Sequence, residues 1–106
     1  MKRFSEMTED ELQAEIERLA NAMEASRLEG ERDVLRQKWL MARSYVAKRR
    51  PFPPGRYRVE GTEDIFTLRY VNGVMGWGVD GNGEEAALPL AVLTPEEETP
   101  PRNSER

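Results

Sequence analysis

The sequence predicts an α+β protein: an antiparallel α-helical hairpin, then a small, strongly bent β-barrel, then a disordered C-terminal tail. Three observations predict it. Apolar residues recur at helical spacing through the first half. Pro51, Pro53 and Pro54 then stop that pattern. Finally, Phe66–Val79 alternates around Asn72-Gly73, a preferred pair for a two-residue β-hairpin turn.

The first helix is expected over about residues 8–28. Thr8-Glu-Asp-Glu11 is a capping box, in which the Thr8 hydroxyl and the Glu11 carboxylate each accept from the other residue's backbone N–H. Met7 and Leu12 stand where a hydrophobic staple would hold the entry. Glu9, Asp10 and Glu11 suit the positive end of the helix dipole. Leu12, Ile16, Leu19, Ala20 and Met23 form the apolar stripe, and Gly30 reads as a left-handed stop.

The second helix is expected over about residues 31–48. Leu35, Trp39, Ala42 and Val46 line its stripe, beside Val34, Met41 and Tyr45. Two helices joined at one glycine fold back on each other. Their stripes are narrow, so the hairpin must also dock on the rest of the chain, with Trp39 packing on the barrel or the first helix. The hairpin domain covers 1–50, and the proline-rich segment 51–55 is a stiff connector.

The barrel is expected over 56–94. Arg56–Glu60 is its first strand, with Tyr57 and Val59 inward. The Asn72-Gly73 turn would set Val71 against Val74, Tyr70 against Met75, Leu68 against Trp77 and Phe66 against Val79. Alternation then gathers Phe66, Leu68, Tyr70, Met75, Trp77 and Val79 on one core face. Gly76 and Gly78 would lie bare on the opposite face. Asp80–Gly83 is a second turn, and Glu85–Leu93 supplies a fourth strand, a 3₁₀ turn after Pro89 and a short edge strand. Four or five short strands in so few residues suit a barrel of the SH3-like type. The acidic, proline-rich tail, 95–106, is expected to be disordered.

With 106 residues the chain is expected to be one domain, or one small domain with an appendage. It contains no cysteine and no histidine, which excludes thiolate zinc sites, disulfides and Cys- or His-based catalysis. No metal or cofactor is implied. Asp80-Gly-Asn-Gly-Glu84 lacks the spaced ligands of a calcium loop. No apolar run is long enough to span a membrane and no signal-peptide pattern is present, so a cytoplasmic protein is expected.

The net charge is −4, and residues 51–106 carry five basic against ten acidic side chains. That balance disfavours a nonspecific nucleic-acid binder. The best local basic cluster is Lys48, Arg49 and Arg50 with Arg56 and Arg58, interleaved by Tyr45, Phe52 and Tyr57. Aromatic and basic residues combine this way in nucleic-acid-binding barrels. The plain alternative is a solvated helix C-terminus, where the dipole favours cations. Gly76 and Gly78, with Arg69 on the same face, would form either a tightly packed surface or a shallow groove for a partner.

Several segments carry a family resemblance: Phe4-Ser-Glu-Met-Thr8, Met41-Ala-Arg-Ser-Tyr45, Pro54-Gly55, Tyr70-Val-Asn-Gly-Val-Met-Gly-Trp-Gly78 and Glu85-Ala-Ala-Leu-Pro-Leu90. In these the chain resembles the YfhH-like family of Bacillus and its relatives. The resemblance implies a helical hairpin followed by an SH3-like barrel, and no activity, cofactor or catalytic residue. The expected function is a noncatalytic protein-interaction module with an adaptor or regulatory role, binding a protein partner or a second copy of itself. The alternative is a nucleic-acid-associated module using the basic hinge at residues 48–58.

Overall fold

The computed structural model describes residues 2–96. A 3₁₀ turn, Phe4–Glu6, precedes helices α1 (Glu9–Ala25) and α2 (Glu29–Ala47). Strands β1 (Gly55–Val59), β2 (Ile65–Asn72), β3 (Met75–Val79) and β4 (Glu85–Pro89) follow, then a 3₁₀ turn at Leu90–Val92 and β5 (Leu93–Pro95). The predicted architecture is present: two antiparallel helices, then one antiparallel sheet in the order β4-β3-β2-β1-β5. The hydrogen-bonded ladder ends at β4 and β5 rather than closing into a full barrel. Of the expected tail, Pro95 ends β5 and Glu96 pairs with Arg56; residues 97–106 lie outside the described residues.

The capping box forms as predicted. The Thr8 N–H donates to the Glu11 carboxylate at 2.9 Å, and the Glu11 N–H donates to the Thr8 hydroxyl at 3.2 Å. The turn between the helices differs from expectation. Helix α1 ends at Ala25, and Ser26 leaves the helix in an extended conformation. The Ser26 hydroxyl donates to the Glu31 carboxylate at 2.8 Å, while Arg32 donates to the Ser26 carbonyl at 2.8 Å. The second bond satisfies a carbonyl that the helix end leaves without a partner, and the first ties the turn to the start of α2. Gly30 is therefore not a left-handed stop; it lies inside the first turn of α2 with a negative φ.

The core of the sheet is Tyr57, Phe66, Leu68, Leu90 and Leu93. Tyr57 faces inward as predicted, stacks on Phe52 at 5.8 Å, and donates its hydroxyl to the Pro53 carbonyl at 2.6 Å. The proline connector thus closes one end of the core. Helix α2 reaches the same core through Ala47 and docks on the Leu90–Val92 turn. Ser44, fully buried, accepts a hydrogen bond from the Ala91 N–H at 3.1 Å. Trp39 is half-buried beneath the Arg43 guanidinium, 4.5 Å from its ring centre. Arg43 in turn makes a two-armed bond to the Glu60 carboxylate at 3.1 and 2.9 Å.

The β2–β3 hairpin corrects the predicted register. The turn residues are Gly73 and Val74, flanked by the pair Asn72 and Met75. Only Gly73 has a positive φ, +66°, at the first central position that a type II′ turn requires. Val74 is buried, and its carbonyl accepts from the Leu90 N–H at 2.9 Å, which accounts for the turn's position. Tyr70 then pairs with Trp77 and Val71 with Gly76. The ladder shifts between Leu68 and Tyr70, leaving Arg69 as the extra residue of a bulge. Beyond it Leu68 pairs with Gly78 and Thr67 with Val79.

This bulge splits the predicted core face in two. Phe66 and Leu68 point into the core, whereas Tyr70 and Trp77 are 57% and 40% exposed. Gly76 and Gly78 accordingly lie buried on the core side, not bare on the outer face. A methyl group on Gly76 would sit 2.8 Å from Leu68 Cδ1 and 3.1 Å from Leu93 Cδ1. One on Gly78 would fall 1.9 Å from the Thr67 carbonyl oxygen. The two glycines let β2 and the core approach β3 closely.

Candidate functional site

The outer face of the sheet is built from residues that the bulge turns to solvent. Tyr70 on β2 and Trp77 on β3 are directly opposite in the ladder. Their rings stack with centroids 6.3 Å apart and planes within 5°. Ala87 of β4 pairs with Trp77 on its other side, and its small side chain leaves the indole uncovered. Arg69, at the bulge, and Glu85, at the start of β4, border a dimple of about 80 Å³ against the two rings and Gly78. The result is a flat aromatic plate with one cation and one anion at its margin.

The predicted basic residues differ in their contacts. The Lys48 ammonium lies 6.0 Å from the Tyr45 ring centre on its own helix, and Arg49 reaches the N-terminal segment, donating to the Met7 carbonyl at 3.3 Å. Arg50 lines a cavity of about 210 Å³ with Pro51, Phe52 and Leu90 at the helix–sheet junction. Arg56, on β1, pairs with Glu96 at 2.8 Å. Hydrogen bonding from Arg56, reinforced by the charges of Arg56 and Arg58, holds the Glu96 carboxyl below the usual carboxylate range. Arg58 is exposed on the same strand. Of the eight residues singled out in the sequence, Arg69 and Gly78 line the dimple beside the exposed aromatic pair.

Chemically this face can stack, make apolar contact and offer a guanidinium. Among the described residues no group of acidic side chains is disposed to hold a metal ion. The Asp80 carboxylate is taken up by its own turn, accepting from the N–H groups of Asn82 and Glu84 at 2.9 and 3.0 Å. The carboxyls of Glu11 and Glu15 are both lowered: the first by the Thr8 N–H and then Lys2, the second by Arg18. No helix among the described residues is long and apolar enough to cross a membrane. The sequence places Tyr70 and Trp77 with Met75 on one face of the predicted hairpin, but gives no mark of the bulge that turns the two rings outward.

A family model described as "Protein of unknown function (DUF1811)" matches residues 2–94. The chain is also similar to "Uncharacterized protein YfhH" of Bacillus subtilis (strain 168), with 41% identity over 102 residues, covering 91% of this chain and 98% of that protein. The match spans both the helical hairpin and the sheet, and on this extent of similarity the chain belongs to the YfhH-like, DUF1811 family.

Proposed function

We propose that this protein is a noncatalytic interaction module that receives a protein partner on the outer face of its sheet. The observation that carries this reading is the stacked, solvent-exposed pair Tyr70 and Trp77. Leaving two large rings in water has a hydrophobic cost that burial against a partner would recover. Tyr, Trp and Arg are the side chains that most often anchor protein interfaces, and Arg69 stands beside both rings. The mixed charge around the plate and the net charge of −4 favour a protein over a nucleic acid. Support for a noncatalytic role comes from the lack of His and Cys and from the displaced carboxyls, each engaged in a surface ion pair.

The test is recovery of partners on the immobilised full chain from an extract of its source organism, with and without nuclease. A protein that survives nuclease and is lost from a Tyr70→Ala/Trp77→Ala variant supports the reading. A partner retained by that variant, or material that nuclease removes, overturns it.

A further inference from the structure

A second concave feature lies on the helical half of the molecule, away from the sheet face. The N-terminal 3₁₀ turn packs beside α2 and leaves a cavity of about 290 Å³ against the two helices. Its apolar lining is Phe4 and Met7, both half-buried. The Phe4 ring is fixed edge-on to Tyr45, with centroids 6.4 Å apart. The lining is otherwise charged and lopsided: Lys2, Arg3, Arg18 and Lys38 against Glu15. That is four cations to one anion in a chain whose net charge is −4.

Two of the cations are already paired. Lys2 binds Glu11 at 2.9 Å and Arg18 binds Glu15. These pairs hold both side chains at the rim. The side chains of Arg3 and Lys38 are exposed and bind no carboxylate directly among the described residues, although the Lys38 charge acts on the Glu15 carboxylate. An apolar lining with an excess of positive charge at its edge, two of the cations bound directly to no carboxylate, is complementary to a ligand with an anionic head and a compact apolar body. The volume lies at the small end of ligand sites, so one or two rings fit and a dinucleotide does not.

We infer that the notch between the N-terminal 3₁₀ turn and the helical hairpin is a binding site for a small phosphate monoester with an apolar body. Arg3 and Lys38 take the phosphate, and Phe4 and Met7 take the body. Arg18 and Lys2 add field at the rim while staying on their carboxylates. The site is independent of the sheet face, so loss of Tyr70 and Trp77 leaves it intact.

The experiment is a titration of the isotopically labelled full chain, followed by backbone amide chemical shifts. The probes are 1-naphthyl phosphate, inorganic phosphate and 1-naphthol. Shifts with 1-naphthyl phosphate are expected at Phe4, Met7 and Lys38, with inorganic phosphate and 1-naphthol each weaker by about tenfold or more. Lys38→Glu and, separately, Arg3→Glu should weaken the complex by about tenfold or more, while Arg58→Glu, an equally exposed change on the sheet, should not. Both test positions are on the surface, and the amide spectrum of each free variant reports that it is folded. Three results overturn the inference: no shifts at these residues, equal binding of inorganic phosphate, or shifts at Tyr70 and Trp77 that Lys38→Glu leaves unchanged.

Discussion

The Ser44 hydroxyl sits between the two halves of the protein, accepting from the Ala91 N–H at 3.1 Å while donating to the Leu40 carbonyl at 2.8 Å. It is fully buried, so no water replaces it. Ser44→Ala leaves the Ala91 N–H without that acceptor and should lower unfolding free energy by about 1–2 kcal/mol. Urea denaturation measures this. An unchanged midpoint would mean that helix docking does not depend on the bond.

Glycine at 78 and glycine at 30 should respond in opposite directions to alanine. At Gly78 the new methyl meets the Thr67 carbonyl oxygen, so the β2–β3 backbone must move. Gly78→Ala should cost about 3 kcal/mol or more. Gly30 has open space around it and helical backbone. Gly30→Ala should stabilise by about 0.5–1 kcal/mol. Thermal and urea unfolding of both variants check the pair.

Trp77 should report solvent. In a Trp39→Phe background its emission should be red-shifted and readily quenched by acrylamide, because the indole is 40% exposed. Trp77→Ala should cost less than the ~3–5 kcal/mol of a core Trp truncation, because part of the ring is already in water. A blue-shifted, unquenched emission would place the ring in a core.

The capping carboxylate makes stability depend on acid. The Glu11 carboxyl is lowered in the folded chain, first by the Thr8 N–H and then by Lys2. A lowered folded-state value means that the contribution is fully present above the ordinary value of 4.5 and is lost as pH falls through the folded one. Glu11→Gln should therefore be less stable than the parent at neutral pH, and the gap should close in acid. Urea midpoints from about pH 7 to about pH 3 follow it. A gap that is constant with pH would assign the loss to packing instead.

Much of this fold is legible in the sequence because its signals are local. The Thr8–Glu11 box, the Pro51–Pro54 stop and the alternation of Tyr57 and Val59 each need only neighbouring residues. Gly30 misled because the helix ends on Ser26 through contacts with Glu31 and Arg32, both beyond the turn. The hairpin misled for a related reason. Placing the turn at Asn72-Gly73 assumes an unbroken ladder, whereas the turn lies one residue further on, with Val74 buried and its carbonyl bound to the Leu90 N–H. That tertiary contact has no local signature. The candidate site was less legible than the fold, since it depends on which way Tyr70 and Trp77 face.

Arg69 has a standing in the ladder that no other residue of β2 shares. Its neighbours Leu68 and Tyr70 pair with Gly78 and Trp77, which are adjacent in β3, so it has no opposite number of its own in the register. Excising Arg69 would leave Phe66 and Leu68 inward and Tyr70 outward in plain two-residue rhythm. The topology is therefore indifferent to this position. What it supplies is a supernumerary link that coils the strand beside Trp77 and carries a guanidinium there, a contribution to the surface rather than to the scaffold.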